Sequence, residues 1–244
     1  KDVLLRQPRL LVLRIDRVLQ PNYERLRSVG LTPGEVAKLY TFAPQWLSRF
    51  RSLEPLLDYV LSFGLSTVEV ARVVPRIRGS YLNPSRFIKN AKIMDNYLQS
   101  LDLHIKEIAI KDPSIFSQNR AKAEGRVQFL RNIGATNEDL SRIISAFPQI
   151  LALDVSGNLQ PKYDFFTGEE AVDPRKILQY PKVFSFSLEE RIRPRYTFLH
   201  EKGVCTTNPF GVLVPTDLGF ATKVAHATLE EYELFLEHYR SKQD

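Results

Sequence analysis

The sequence predicts an all-α protein of helical repeats stacked into a solenoid. A short apolar segment centred on a proline recurs along the chain at intervals of 31 to 38 residues. The anchor prolines are Pro8, Pro44, Pro75, Pro113, Pro148 and Pro181. A second landmark, a glycine that closes an apolar run, returns with a similar period. These glycines are Gly30, Gly64, Gly134 and Gly203, with Asp102 in the slot between Gly64 and Gly134. Independent landmarks that share one period indicate a repeat architecture.

Each repeat is predicted to hold two helices joined by a proline turn. The closing glycines fit the C′ position of a helix, where positive φ strains other residues. Start signals of the next helix follow them: Thr32 with Glu35, Ser66 with Glu69, Thr136 with Asp139, and Asp173 with Pro174. These residue types and spacings are typical of helix N-termini. The anchor proline then ends this first helix, because it lacks an N–H and disfavours helix in the residue before it.

A third proline landmark is expected to open the second helix of each repeat. Its members are Pro21, Pro55, Pro161 and Pro194. We therefore assign residues 1–205 to about six repeats, the first of them truncated. Residues 206–244 are assigned to a C-terminal loop and a capping helix, because terminal repeats are usually atypical.

Composition narrows the class of protein. The chain has 244 residues, 43% of them hydrophobic, which is enough for a substantial core. No uncharged apolar stretch approaches the length needed to cross a bilayer. A single cysteine, Cys205, excludes an internal disulfide and is expected to be a small buried apolar residue.

The net charge of +6 is unevenly distributed, since the last 21 residues are acidic and the repeats carry the basic surplus. A row of cations on one face of a solenoid matches a phosphate backbone. The candidate phosphate-binding residues are Arg9, Arg72, Arg76, Arg78, Arg86, Lys89, Lys92, Lys111, Lys182, Arg191, Arg193 and Arg195. The competing interpretation of each is a solvated basic side chain without a partner.

Three tyrosines near these cations, Tyr81, Tyr163 and Tyr196, are candidates for stacking on unpaired bases. The alternative is that they pack in the core, as aromatics at apolar spacing in helical repeats commonly do. The sequence offers no catalytic, cofactor or metal motif: the four histidines fall in unrelated parts of the repeat, and His200 with Glu201 is expected to be a surface pair.

The words "FLRNIGATNEDLSRIISAFPQILALDVSGNLQPKYDFF" and "ILQYPKVFSFSLEERIRPRYTFLHEKGV" resemble the mitochondrial transcription termination factor (mTERF) family, most closely its plant and algal members. The resemblance covers about residues 3–204 and is weakest at 80–112, where "NPSRFIKNAKIMDNYL" departs from the usual second helix. It implies a left-handed superhelix with a basic concave face that binds double-stranded DNA or structured RNA. It also implies import, by a transit peptide, into the mitochondrial matrix or chloroplast stroma.

Two functional hypotheses follow from the residues and the resemblance together. The first is a non-enzymatic factor that binds organellar nucleic acid and regulates transcription, its termination or RNA maturation. The second is a protein-interaction scaffold of an organellar ribosome or RNA-modification complex that docks through the acidic C-terminal helix. Tetratricopeptide and pentatricopeptide repeats have similar periods, but neither explains the recurring proline words.

Overall fold

The computed structural model describes residues 4–5, 8–42, 44, 50–77 and 84–242. These residues form helices, turns and loops, and none of them lies in a strand. The α-helices are α1 Gln20–Ser28, α2 Pro33–Phe42, α3 Phe50–Leu61, α4 Thr67–Val73, α5 Pro84–Gln99, α6 Ile105–Lys111, α7 Arg120–Asn132, α8 Asn137–Ala146, α9 Gln160–Asp164, α10 Pro174–Gln179, α11 Arg193–Glu201, α12 Asp217–Lys223 and α13 Leu229–Ser241. The predicted all-α helical-repeat fold is confirmed.

Five of the six anchor prolines lie in short 3-10 helices, which are the corners of the repeats, and Pro44 lies in a turn. These turns are Pro8–Val12, Val74–Arg76, Pro113–Ser117, Pro148–Ala152 and Pro181–Ser185. The α8 helix, for example, ends at Ala146, two residues before its turn begins. The predicted stop at the anchor proline is therefore confirmed, and its cause is the missing proline N–H.

Three of the second-set prolines open an α-helix as predicted, because Pro21, Pro161 and Pro194 are the second residues of α1, α9 and α11. A π-helical turn directly precedes each of these α-helices, at Ile15–Leu19, Val155–Leu159 and Leu188–Ile192, so the helical path starts six residues before the proline. Two of these turns are capped, by Asp154 on the N–H of Gly157 and by Ser187 on the N–H of Glu190. The π register ends just before the proline, so the missing N–H falls where the hydrogen-bond register changes.

Pro55, in contrast, lies inside α3, so the prediction that a second-set proline opens its helix was wrong at this position.

Left-handed backbone closes the second helix of every repeat. Gly30, Gly64, Gly134 and Gly203 have φ of 95°, 67°, 99° and 67°. Asp102 has φ 57°, which confirms that it takes the glycine slot. Ala171, at φ 51°, fills the remaining slot, which the sequence did not reveal. After Gly30, Asp102, Gly134 and Gly203 the next N–H bonds the carbonyl five residues back, the signature of a Schellman motif.

The predicted capping boxes of the first helices are present. The Thr32 hydroxyl and the Glu35 carboxylate exchange hydrogen bonds with each other's backbone N–H. The Ser66 and Thr136 boxes repeat this arrangement. A fourth box, Thr228 with Glu231, opens α13. These bonds satisfy N–H groups that a helix start leaves without partners.

Replacing Ala171 by glycine is expected to stabilise the protein by about 1 kcal/mol, because left-handed backbone strains an L-residue and not glycine. The free energy of unfolding in urea measures the gain. Gly134→Ala is the matched control with the opposite expected sign, since its Cβ meets no atom within 4 Å and φ alone opposes it. Equal effects of both substitutions would contradict this account.

The chain divides into two compact units, Lys1–Val127 with Leu140–Ala152, and Gln128–Asp139 with Leu153–Asp244. In the first unit α2 packs on α4 and α4 on α6, so first helices of successive repeats are neighbours. In the second unit α13 packs on α11 and α12. The boundary expected at residue 205 concerns repeats and remains a prediction.

The C-terminal segment retains parts of the repeat. It contains the 3-10 turn Gly211–Leu213, α12, a left-handed residue at His226 (φ 53°) and then the capped helix α13. Cys205 is exposed in the loop before this segment, so the expectation that it is buried was wrong. No helix in the described ranges has the length and apolar character that crossing a membrane requires.

Candidate nucleic-acid interface

The structure separates the candidate cations by exposure. Arg78 and Tyr81 lie outside the described residues, and so does the side chain of Arg9. The exposed candidates are Arg72, Arg76, Arg86, Lys89, Lys92, Lys111 and Lys182. The triplet from the word "RIRPR", Arg191, Arg193 and Arg195, is partly or wholly buried.

Arg195 is fully buried and belongs to the core. Its guanidinium donates to the carbonyl of Val212 at 2.7 Å and to the carboxylate of Asp217 at 2.6 Å. It also lies 4.6 Å from the centre of the Phe220 ring. The assignment of Arg195 to phosphate binding is therefore corrected: the side chain is shielded from solvent and joins α11 to the C-terminal segment.

The two other arginines of the triplet also bind within the protein. Arg191 donates to the carbonyls of Leu213 at 2.8 Å and Pro215 at 2.6 Å. Arg193 Nη1 donates to both carboxylate oxygens of Glu169, each at 2.8 Å. Because intramolecular partners hold both side chains, we assign them to the fold rather than to a phosphate-binding surface.

Lys162, which is not among the candidate phosphate-binding residues, is a buried cation. Only 4% of its surface is exposed, and its Nζ donates to the Phe184 carbonyl at 2.8 Å and the Asn158 amide oxygen at 2.9 Å. Burial lowers the pKa of the Lys162 ammonium to about 8.

Lys162 and Arg195 occupy the same position in their repeats. Each directly follows a second-set proline, in "QPKY" and "RPRY". Each also bonds a carbonyl of the next 3-10 turn, that of Phe184 or Val212. The shared sequence "P-[KR]-Y" is the feature from which the equivalence of Lys162 and Arg195 could have been predicted.

The candidate stacking tyrosines are packed against other rings. Tyr196 is buried between Phe165 and Phe166, and its hydroxyl donates to the Pro209 carbonyl. Burial raises the pKa of the Tyr196 hydroxyl. Tyr163 is half-buried and meets the Phe129 ring edge-on at 6.1 Å. The core interpretation therefore holds for Tyr196, whose assignment to base stacking is corrected, whereas stacking by the half-buried Tyr163 stays a prediction.

Two lysines of α6, the half-buried Lys106 and the exposed Lys111, bind helix ends within the first compact unit. Lys111 Nζ donates to the Ser145 carbonyl, in the last turn of α8, at 2.6 Å. Lys106 Nζ donates to the Gly64 carbonyl, just after α3, at 2.7 Å. Cations near helix C-termini complement the helix dipole, so Lys111 has a structural partner although it is exposed.

Two elements that carry remaining exposed candidates of the first unit contact the same turn, Pro113–Ser117. Arg72 lies in α4 and Arg76 in the 3-10 turn that follows it, and this turn contacts Pro113–Ser117. The α5 helix, which carries Arg86, Lys89 and Lys92, packs on the turn Pro113–Ser117. The structure thus brings α4 and α5 to one place in the fold. Lys182 belongs to the second unit.

The exposed face of α5 is basic and polar apart from Ile93. Its exposed residues are Ser85, Arg86, Lys89, Asn90, Lys92, Ile93, Asn96 and Gln99. The one acidic residue of the helix, Asp95, is half-buried on another side. Lys92 Nζ lies 5.9 Å from the centre of the Tyr59 ring, and burial of that tyrosine raises its pKa to about 12. We call these eight residues the α5 face.

The described residues contain no cluster of three or more histidine, cysteine or carboxylate side chains that would hold a metal ion. A cavity of about 360 Å³ lies in the first unit, lined by residues from α5 and the start of α6, among them Asp95, His104 and Lys106. The α5 face, with its cations and amides, suits a polyanion better than any other surface described above.

These features define an all-α repeat protein with a basic helix face. The family model described as mTERF matches residues 81–221, more than half of the chain. The chain therefore belongs to the mTERF family, as the proline and glycine words indicated.

Named relatives of the chain are found in plants. It is 26% identical over 122 residues to the chloroplastic transcription termination factor MTERF4 of Zea mays, covering 50% of the chain and 24% of the relative. It is 30% identical over 101 residues to the chloroplastic transcription termination factor MTERF2 of Arabidopsis thaliana, covering 41% of the chain and 16% of that relative. The matched segments thus span a quarter or less of each relative.

Proposed function

We propose that this chain is a nucleic-acid-binding factor that regulates transcription, its termination or RNA maturation in a plastid. The exposed cations Arg76 and Lys89 carry the proposal, because the turn Val74–Arg76 and the α5 helix that hold them both contact the turn Pro113–Ser117. The names of the relatives, chloroplastic transcription termination factors, support both the process and the compartment.

The mechanism is non-covalent binding. Arg76 and Lys89 are exposed and form no salt bridge with the part of the chain that the structure describes, so their charges are available to phosphate. Each cation that neutralises a phosphate releases condensed counterions, which gives affinity without sequence preference. A bound factor of this kind acts on polymerases or processing enzymes by occupying their template or transcript.

The double substitution Arg76→Glu with Lys89→Glu is expected to weaken binding by at least tenfold and to flatten its salt dependence. Fluorescence anisotropy with labelled duplex DNA and structured RNA, each at two salt concentrations, measures this. The matched control is Arg175→Glu with Lys176→Glu, an exposed pair on α10 with the same charge change. Equal losses of affinity in both variants would mean that net charge alone governs binding. That result would contradict the assignment of Arg76 and Lys89 to the binding surface.

A second candidate function is suggested by α13, which exposes Glu230, Glu233 and Glu237. Such an acidic helix suits a basic protein partner, and the chain would then be a scaffold within an organellar ribosome or RNA-modification complex. The same titration separates the two functions. Failure of the wild-type chain to bind either polymer would favour the scaffold, and a pull-down from organelle extract would follow.

A further inference from the structure

We infer that exposed apolar side chains of the first repeat form a docking surface for a further helical repeat. They are Leu4, Leu5, Leu11, Val12 and Ile15, each at least 42% exposed, and we call them the N-terminal apolar surface. The partner is a repeat of the same kind that precedes Pro8 in the polypeptide, and its second helices cover this surface. Nucleic-acid binding is not needed for this interaction.

Three repeats of the chain share one local structure after their anchor prolines. The segments 8–23, 148–163 and 181–196 align without a gap, as "PRLLVLRIDRVLQPNY", "PQILALDVSGNLQPKY" and "PKVFSFSLEERIRPRY". Each segment begins with a 3-10 turn at the proline, continues with a π-helical turn and then enters an α-helix. The burial of equivalent residues can therefore be compared directly.

The third residue after the anchor proline is buried in the two later segments and exposed in the first. Leu151 and Phe184 are 1% and 0% exposed, whereas the equivalent Leu11 is 73% exposed. Since the local backbone is the same, the difference lies in what covers the side chain. Leu11 thus has the residue type of a core position and lacks the cover that its equivalents have.

The residues before the anchor proline show the same difference. Leu4, four residues before Pro8, is 42% exposed. Its equivalents Ile144 and Ile177 are fully buried. Exposed apolar residues thus lie on both sides of Pro8, as expected of a repeat without a neighbour, because a single repeat cannot bury its own apolar face.

Rings from earlier second helices cover this position elsewhere in the chain. The Phe184 ring meets the Phe129 ring of α7 edge-on, with the ring centres 6.3 Å apart. In the first compact unit Phe116 occupies the equivalent position. Its ring centre lies 5.8 Å from that of Phe63, just after α3, and 6.1 Å from that of Phe87 in α5. Each of these covering rings precedes in sequence the ring that it covers.

This order of contacts identifies the partner. The cover of Leu11 is expected from residues ahead of Pro8, as it is for Phe116 and Phe184. The seven residues before Pro8 make about two helical turns, too few for a pair of helices. A second copy of the chain suits the surface less well, because its second helices already pack on its own turns, as α5 does on Pro113–Ser117.

The test extends the chain by a copy of its own residues 84–140, joined ahead of Lys1. Leu140 lies eight residues before Pro148 and Lys1 lies seven before Pro8, so the junction keeps the repeat in register. The copied residues are those that precede Pro148, whose third following residue is also a leucine. We expect the extended chain to gain helical circular dichroism over the unextended chain.

A single substitution then reports whether the added helices dock. Leu11→Ala should change the melting temperature of the unextended chain by no more than about 2 °C, because an exposed side chain has little packing to lose. In the extended chain it should lower the melting temperature by about 5 °C or more. Leu151→Ala in the unextended chain is the buried reference and should cause a similar drop.

A second measurement needs no extension. The dye 8-anilinonaphthalene-1-sulfonate fluoresces on exposed apolar surface and should bind the unextended chain. The double substitution Leu11→Ser with Val12→Ser should remove more of this fluorescence than its matched control, Val68→Ser with Val214→Ser, two exposed valines elsewhere. Sedimentation velocity should show the unextended chain as a monomer.

Four results would overturn the proposal. Two come from the extended chain: no gain of helical signal, or an effect of Leu11→Ala no larger than in the unextended chain. The third is a loss of dye fluorescence no greater than that of the control pair. The fourth is a dimer of the unextended chain that Leu11→Ser with Val12→Ser dissociates, which would assign the surface to a second copy. None of these results bears on nucleic-acid binding, so the proposed function is tested separately.

Discussion

Replacement of Arg195 by methionine is expected to destabilise the protein by about 3 kcal/mol. The substitution keeps an unbranched apolar side chain but leaves the buried Val212 carbonyl without its donor. It also removes the ion pair to Asp217 and the contact with the Phe220 ring. Loss of a buried hydrogen bond costs about 1–3 kcal/mol, and loss of the ion pair to Asp217, whose side chain is exposed, adds a smaller amount.

Urea unfolding followed by far-ultraviolet circular dichroism measures this loss. The matched control is Arg193→Met, two residues earlier on α11, where the guanidinium binds the exposed carboxylate of Glu169. Partly exposed ion pairs contribute about 0–1 kcal/mol, so this control should change little. A similar loss in both variants would mean that Arg195 has no special role in the core.

Stability is expected to rise with pH above about 8 because of Lys162. Its native pKa, about 8, lies below the usual 10.5 of a lysine, so the unfolded chain binds more protons between these values. The charged form is the one that burial penalises, and the penalty fades as the native lysine loses its proton. From pH 8 to pH 9.5 the gain should be about 1.5 kcal/mol.

Comparison of the wild type with Lys162→Met across this range isolates the effect, because the variant should lack the rise. Measurements should stay below pH 10. Burial raises the pKa of Tyr40 and Tyr196, so unfolded tyrosines ionise first and stability falls above that value. Parallel pH profiles of the two proteins would refute the assignment to Lys162.

The repeat could be read from the sequence because its landmarks act on local backbone. Proline removes a hydrogen-bond donor wherever it occurs, and a left-handed slot favours glycine or aspartate, so Pro148, Gly134 and Asp102 were all informative. Ala171 was missed because alanine carries no such preference. The π-helical turn before Pro161 was also missed, since a change of hydrogen-bond register leaves no residue signature of its own.

The binding surface was predictable only in part. Counting charges places Lys89 and Arg195 in one class, although one is exposed on α5 and the other has carbonyl and carboxylate partners in the core. The partner of Arg195 is 17 residues away, in an irregular segment that no periodicity locates. Helical phase, applied to residues 84–99, would have found the α5 face, because its exposed positions contain no acid.

The two buried cations link their repeats to the part of the chain that follows. Lys162 and Arg195 each donate to a backbone carbonyl further along the chain, at Phe184 and Val212. Trimming the protein back to residue 205 would remove both acceptors of Arg195 together with the Phe220 ring that covers its guanidinium, so the last repeat would lose the buried contacts that this side chain makes. Shortened versions should therefore keep residues through Asp217. The irregular segment there thus terminates the array as the last acceptor in the series.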